Sequence, residues 1–155
     1  VEDQMCGVDY LKSLKYVDPS RISVDGWSYG GFMTLSMITR HPNVFNRASC
    51  GGPVTDWKYY EVMYGERYMD TPQDNPDGYK KSSLLNYVDS IQCDLLIFHG
   101  AMDPVVVWQH TLDFVNKAIK AKKQIDYFIY PSHGHNVGGI DRVHLWKKIE
   151  KFHTY

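Results

Sequence analysis

The first group in this sequence placed to do chemistry is a serine hydroxyl. Gly26-Trp27-Ser28-Tyr29-Gly30 follows the pattern G-x-S-x-G. It stands between Arg21 to Asp25, which alternates like a short strand, and Phe32 to Arg40, which has a helical pattern. In a strand, tight turn and helix of this kind the serine accepts unfavourable backbone angles, and glycines on both sides are expected to remove colliding Cβ atoms. The turn lifts the hydroxyl above the carboxyl end of the sheet. The following helix then points its N-terminus, including the Tyr29 backbone N–H, at any oxyanion formed there. A neutral hydroxyl is a poor nucleophile and needs a base that is itself oriented by an acid. With this turn the chain order is serine, acid, histidine. The loop His99-Gly100-Ala101-Met102-Asp103-Pro104 has one carboxylate, Asp103. Asp103 also reads as the N-cap of a helix beginning at Pro104, and the two roles are compatible. After the last strand, Ser132-His133-Gly134-His135-Asn136 offers two imidazoles. The residues alone do not choose between His133 and His135.

Four strands and the helices between them must position these groups. Glu2 to Val17 places Gly7, Tyr10, Leu11, Leu14 and Val17 on one helical face, and Pro19 ends the segment. Arg21 to Asp25, Arg47 to Cys50, Cys93 to His99 and Ile125 to Tyr130 read as strands. The third is continuously apolar through Leu95-Leu96-Ile97-Phe98, as in a strand buried on both faces. Trp57 to Met69 is expected to be helical with aromatic residues on one side. Thr71 to Gly78 is loop-like, with a short helix near Gly78 to Ser82. A helix from Pro104 would carry Trp108, Leu112, Val115 and Ile119 inward. A last helix, Gly139 to Phe152, would bury Leu145, Trp146, Ile149 and Phe152. Strands alternating with helices imply an α/β fold with a mostly parallel sheet covered on both faces.

Composition narrows the function classes. The chain has 155 residues, 43% hydrophobic and 23% charged, enough for one domain with a buried core. Seventeen Lys and Arg against eighteen Asp and Glu leave a net charge of −1, and no basic run exceeds a pair, which argues against nucleic-acid binding. Leu95 to Phe98 and Val105 to Trp108 are the longest apolar runs, far short of the about 20 residues that cross a bilayer. No leader sequence is expected within these residues. Cys6, Cys50 and Cys93 form neither a disulfide framework nor a metal spacing. A metal hydrolase using His133 and His135 lacks a nearby carboxylate or histidine at ligand spacing, so neither metal nor cofactor is expected.

Beyond these motifs, longer stretches resemble a known family. They are Gly26-Trp27-Ser28-Tyr29-Gly30-Gly31-Phe32-Met33, Tyr64-Gly65-Glu66-Arg67-Tyr68, His99 through His110, and Tyr130-Pro131-Ser132-His133-Gly134-His135-Asn136-Val137. They resemble the prolyl oligopeptidase family in its dipeptidyl peptidase IV branch, nearest to bacterial prolyl tripeptidyl aminopeptidases. The resemblance covers nearly the whole chain. It implies an α/β-hydrolase fold and a serine exopeptidase that releases N-terminal di- or tripeptides after proline. It places the catalytic histidine at His135, completing a triad with Ser28 and Asp103. It also implies a proline pocket built from Val54, Trp57, Tyr60, Tyr64 and Val106, and a role for Glu61 at the substrate's free amine. Trp57, Tyr60 and Tyr64 are spaced i, i+3, i+7, so one helix would present all three rings. A flat, apolar ring without an N–H suits such a slot. Val105 departs from the branch, where most dipeptidyl enzymes carry an asparagine that donates to a substrate carbonyl.

The same resemblance implies further parts upstream: a β-propeller with acidic residues that hold the substrate amine, and the first half of the hydrolase sheet with a tyrosine hydroxyl as second oxyanion donor. On that reading residues 1–155 are a partial hydrolase domain, nearly inactive alone. The strand at Arg21 to Asp25 would have a bare edge, favouring self-association into a homo-oligomer. Bacterial members are typically exported, implying the periplasm or cell envelope. The partner expected is a peptide with proline at P1. The alternatives are an esterase or acylaminoacyl-type hydrolase sharing the triad, and a non-catalytic homologue that only binds peptides.

Overall fold

Four parallel strands lie side by side in chain order in the computed structural model, which describes residues 1–154. The elements are α1 (Glu2–Ser13), β1 (Ser23–Trp27), α2 (Tyr29–Arg40), β2 (Arg47–Gly51), α3 (Val62–Met69), α4 (Pro76–Ser82), β3 (Asp94–Gly100), α5 (Gln109–Lys120), β4 (Asp126–Tyr130) and α6 (Asp141–Thr154). Trp27 pairs with Gly51, Gly51 with Phe98, and Gly100 with Tyr130, so the four carboxyl ends lie along one edge of the sheet. Every candidate reacting side chain follows one of those ends, where ligands of open parallel sheets bind.

The apolar run in β3 is buried on both sides. Leu95 and Ile97 join a core with Leu35, Ile38, Phe114 and Ala118, contributed by α2 and α5. Leu96 and Phe98 face the opposite way, into a core with Tyr130, Leu145 and Ile149, where α6 covers the sheet. The period of two therefore feeds two cores from one strand, as the unbroken run predicts.

Four helical expectations need correction. The first helix ends at Ser13, and it turns Met5 and Val8 inward while Tyr10 and Leu11 are exposed. The segment from Trp57 to Met69 is not one helix. The buried Asp56 accepts from the Lys58 amide and caps a single 3₁₀ turn, Trp57–Tyr59; Tyr60 is extended, and α3 starts at Val62. The helix expected from Pro104 starts at Gln109, and its buried face is His110, Thr111, Phe114 and Ala118. Leu112 and Ile119 point to solvent. Two polar residues could take the inner face because each has partners. The Thr111 hydroxyl bonds His99, and His110 Nδ1 accepts from the Thr55 amide at 3.1 Å. In α6, Leu145 and Ile149 are buried, but Trp146 is exposed.

Candidate active site

Ser28 joins β1 to α2 with φ 60° and ψ −116°, a conformation that costs a residue with a Cβ about 1–3 kcal/mol. Its neighbours hold it there. The Ser28 N–H donates to Gly51 O at 2.8 Å, and the Phe32 N–H donates to Ser28 O at 3.0 Å. Gly26 is the glycine the turn requires, since a Cβ there would collide with the Gly30 carbonyl. The symmetrical reason expected at Gly30 does not hold. A Cβ at Gly30 meets open space, and the tight approach falls at Gly31, 3.0 Å from Pro53 Cα. The Ser28 side chain makes no capping bond to its own helix. The Tyr29 N–H is among the first-turn amides that α2 cannot satisfy internally.

Asp103 and His135 meet across the loops that follow β3 and β4. His135 Nδ1 donates to Asp103 Oδ2 at 2.8 Å. The other carboxylate oxygen accepts from the Val105 and Val106 amides, both at 2.9 Å. Asp103 thus closes a tight turn and does not cap a helix, contrary to the N-cap expectation. Burial alone would push its carboxyl up. The His99 imidazole 3.4 Å away, with the hydrogen bonds from His135 and the two amides, outweighs that and holds the pKa down to about 2. The charged form is therefore the one His135 faces.

Two contacts bring this pair to the serine turn. The Trp27 indole N–H, one residue before Ser28, donates to the His135 carbonyl at 2.8 Å. Gly52 (φ +46°) lies against the pair: a Cβ there would sit 3.4 Å from both Asp103 Oδ2 and His135 Cε1. Because Gly51 holds the Ser28 amide, a single dipeptide at the end of β2 touches the serine turn and the acid–base pair. His133 points elsewhere, its Nε2 2.9 Å from Asp141 Oδ2 at the start of α6. The structure thus joins only one of the two candidate imidazoles to Asp103.

The aromatic residues gather without the shared helix that the spacing suggested. Trp57 comes from the 3₁₀ turn, Tyr60 from the extended residue and Tyr64 from α3. Trp57 stacks on Tyr64 at 5.6 Å and meets Tyr60 edge-on at 5.6 Å. Val54 and Val106 are buried in one apolar cluster with Trp57, against which Tyr60 packs. A recess of about 430 Å³ opens beside the rings, lined by Tyr29, Phe32, Trp57, Tyr64 and Tyr68 among others. Phe32, 5.1 Å from Trp57, and Tyr68, 5.3 Å from Tyr64, were not foreseen; Phe32 sits in the α2 pattern as an ordinary core residue. Burial and the Glu61 carboxylate next door raise the pKa of the Tyr60 phenol. Glu61 is exposed beside Tyr60 and makes no capping bond to α3, so its side chain is free to meet a ligand.

Three more residues escaped the sequence reading: Trp27, Gly52 and His99. None carries a motif of its own, and each acts through a partner distant in the chain. Among the described residues no group of three or more His, Cys, Asp or Glu could hold a metal ion. No helix among them is long and apolar enough to cross a membrane.

The sequence profile of the prolyl oligopeptidase family matches residues 1–154. The chain belongs to that family. The Saccharomyces cerevisiae dipeptidyl aminopeptidase B is 38% identical over 141 residues, which are 87% of this chain and 17% of the yeast protein. A Bacteroides ovatus protein described by inference as a dipeptidyl aminopeptidase IV is 53% identical. Its crystal structure superposes with a TM-score of 0.96 over 97% of this chain and 21% of that one. The Porphyromonas gingivalis dipeptidyl peptidase 4 structure is 37% identical, with a TM-score of 0.94 over 98% of this chain and 22% of its own. This chain therefore spans about a fifth, or less, of each of these three proteins. The parallel sheet with helices on both faces is part of an α/β-hydrolase fold.

Proposed function

We propose that this chain is the part of a serine exopeptidase that carries its reacting side chains, and that the enzyme releases N-terminal di- or tripeptides after proline. The observation that carries the reading is the 2.8 Å bond between His135 and a charged, buried Asp103, pinned beside the Ser28 turn by the Trp27 indole. With Nδ1–H given to Asp103, the other ring nitrogen of His135 is the basic one. It takes the Ser28 proton as Oγ attacks the acyl carbon. The Tyr29 N–H donates to the oxyanion of the tetrahedral intermediate. His135 then returns the proton to the departing amine, leaving an acyl-enzyme on Ser28. Water, deprotonated by the same imidazole, releases the acid.

The aromatic cluster supports proline at P1. A pyrrolidine ring set against Trp57, Tyr60 and Tyr64 over Val54 and Val106 gives up no hydrogen bond, because it has no N–H to satisfy. Glu61, beside Tyr60, has the charge to meet a substrate ammonium. Val105, 47% exposed, offers only an apolar side chain where an amide would grip a peptide carbonyl. That fits a tripeptidyl-like or otherwise altered subsite. A second oxyanion donor and the remaining hold on the substrate amine come from the rest of the protein, so the 155 residues alone are nearly inactive. For the chain alone, β1 is an outer strand of the sheet, which supports self-association through its edge. Export to the periplasm or cell envelope completes the reading.

The test compares nitroanilides of Ala-Pro, Ala-Ala-Pro and Ala-Ala-Ala on the full-length protein, with and without an acetylated N-terminus. The reading expects fast turnover of free-amine substrates ending in proline, and little of the acetylated or alanine forms. Equal turnover of all of them, or preference for acetylated substrates, would replace it with an acylaminoacyl-type hydrolase.

A further inference from the structure

Asp103 Oδ2 has a second imidazole beside it. His99, on β3, is completely buried, with Nε2 3.4 Å from Asp103 Oδ2 and 2.8 Å from the Val106 carbonyl. Its Nδ1 lies 2.7 Å from the Thr111 hydroxyl on α5. A carbonyl only accepts, so Nε2 carries the hydrogen and the Thr111 hydroxyl donates to Nδ1. The ring is held from both ends in one tautomer. Its N–H is given to the Val106 carbonyl, in the turn that Asp103 closes, with the carboxylate 3.4 Å from the same nitrogen. The Val106 amide donates back to Asp103 Oδ1, so two hydrogen bonds through the turn link His99 to the carboxylate, and the same Nε2 lies 3.4 Å from Oδ2.

We propose that His99 is a positioning residue for the Asp103 carboxylate. It ties a loop carboxylate to the rigid central sheet and takes a share of its charge that would otherwise fall on His135. The proposal rests on the triad reading above. A buried carboxylate held only by its own turn can rotate, and a donor fixed to β3 prevents this. Without that donor, Oδ2 is left to His135 alone. The carboxylate then stabilises the imidazolium more strongly, and His135 stays protonated to higher pH.

The titratable groups facing Asp103 are few. His135 approaches from the loop after β4 and His99 from β3 itself. His110 on α5 and the Tyr60 phenol both feel its charge. Burial pushes His110 down to about 4, and burial raises Tyr60 above its ordinary 10, so both are neutral across the range in which a histidine base titrates. A shift of the acid limb therefore reports on His135.

The experiment measures kcat, KM and the pH dependence of kcat/KM between pH 5 and 9 for the full-length protein, with a prolyl nitroanilide as substrate. Three variants separate the roles. His99→Asn keeps a polar group near Thr111 but loses the donor at the Nε2 position. His99→Gln returns an amide N–H to that position. Thr111→Val keeps His99 and releases its tautomer. His99→Asn is expected to lower kcat about tenfold, with KM changed less than about twofold, and to move the acid limb up by about half a pH unit. His99→Gln should restore the limb and most of kcat. Thr111→Val should shift the limb the same way by less, and it decides the matter if His99→Asn does not fold. A folded His99→Asn or Thr111→Val protein with the parent's acid limb overturns the proposal. Asp103→Asn is run alongside. If it abolishes turnover while the His99 variants keep the limb, only the role of His99 fails; if it leaves turnover intact, the triad reading falls and this proposal with it.

Discussion

Replacing Asp103 by asparagine changes one atom, and the surrounding hydrogen bonds dictate how the new amide must sit. Oδ1 is held by two backbone amides at 2.9 Å, so the asparagine oxygen must occupy that position. The new NH₂ group then stands where Oδ2 was, facing His135 Nδ1 and the His99 N–H. It can donate to His135 only if Nδ1 has lost its hydrogen. That moves the imidazole proton to Nε2, where it blocks removal of the Ser28 proton. The wrong tautomer costs about 10⁴ in kcat in a triad of this kind. The NH₂ also meets the His99 N–H donor to donor, so the Tm should fall as well. The assay is kcat for a prolyl nitroanilide on the full-length protein, with Tm and far-UV circular dichroism to establish folding. KM should change little, since the carboxylate does not touch substrate. A folded Asp103→Asn protein within about tenfold of the parent kcat would refute the reasoning, because among the described residues no other carboxylate is bonded to His135.

Three further outcomes rest on the same geometry. The Asp103 carboxyl is depressed from 3.8 to about 2, so it contributes about 2 kcal/mol of stability above pH ~4, lost as pH falls towards 2. Urea unfolding at pH 6 and pH 2 should show a loss larger in the parent than in Asp103→Asn by about that amount. Gly52→Ala puts a side chain at φ +46° against the acid–base pair; it should cost about 1–2 kcal/mol of stability and reduce kcat more than tenfold, read from denaturant midpoints and steady-state rates. Tyr60→Ala should lower kcat/KM for prolyl peptides at least tenfold more than for a small acetate ester, and equal losses would mean the rings serve packing alone.

Two of the side chains proposed to react were legible from strong local signatures, whereas His135 was separable from His133 only through the family resemblance. Ser28 is framed by a strand and a helix, Asp103 is the sole carboxylate of its loop, and the apolar run of β3 marks the central strand. The residues that hold them were not legible, because their roles depend on partners far away in the chain. Trp27 reaches 108 residues forward to His135, and Gly52 matters only because two side chains from other loops rest on it. Periodicity failed where polar groups are buried and find hydrogen-bond partners. His110 and Thr111 displaced Leu112 and Ile119 from the inner face of α5, since Thr55 and His99 supply their hydrogen bonds. It failed again between Trp57 and Met69, where the buried Asp56 binds the Lys58 amide and stops the first turn. The rings still converge, from three different local conformations.

The central claim is that Ser28, His135 and Asp103 react as a unit. Fluorophosphonate labelling of the full-length protein, followed by peptide mapping in a mass spectrometer, tests it most directly. The account predicts one phosphonyl adduct, on Ser28, forming at least about 10³-fold more slowly in His135→Ala while His133→Ala labels at the parent rate. An adduct on another residue, or labelling of Ser28 that does not depend on His135, would contradict it.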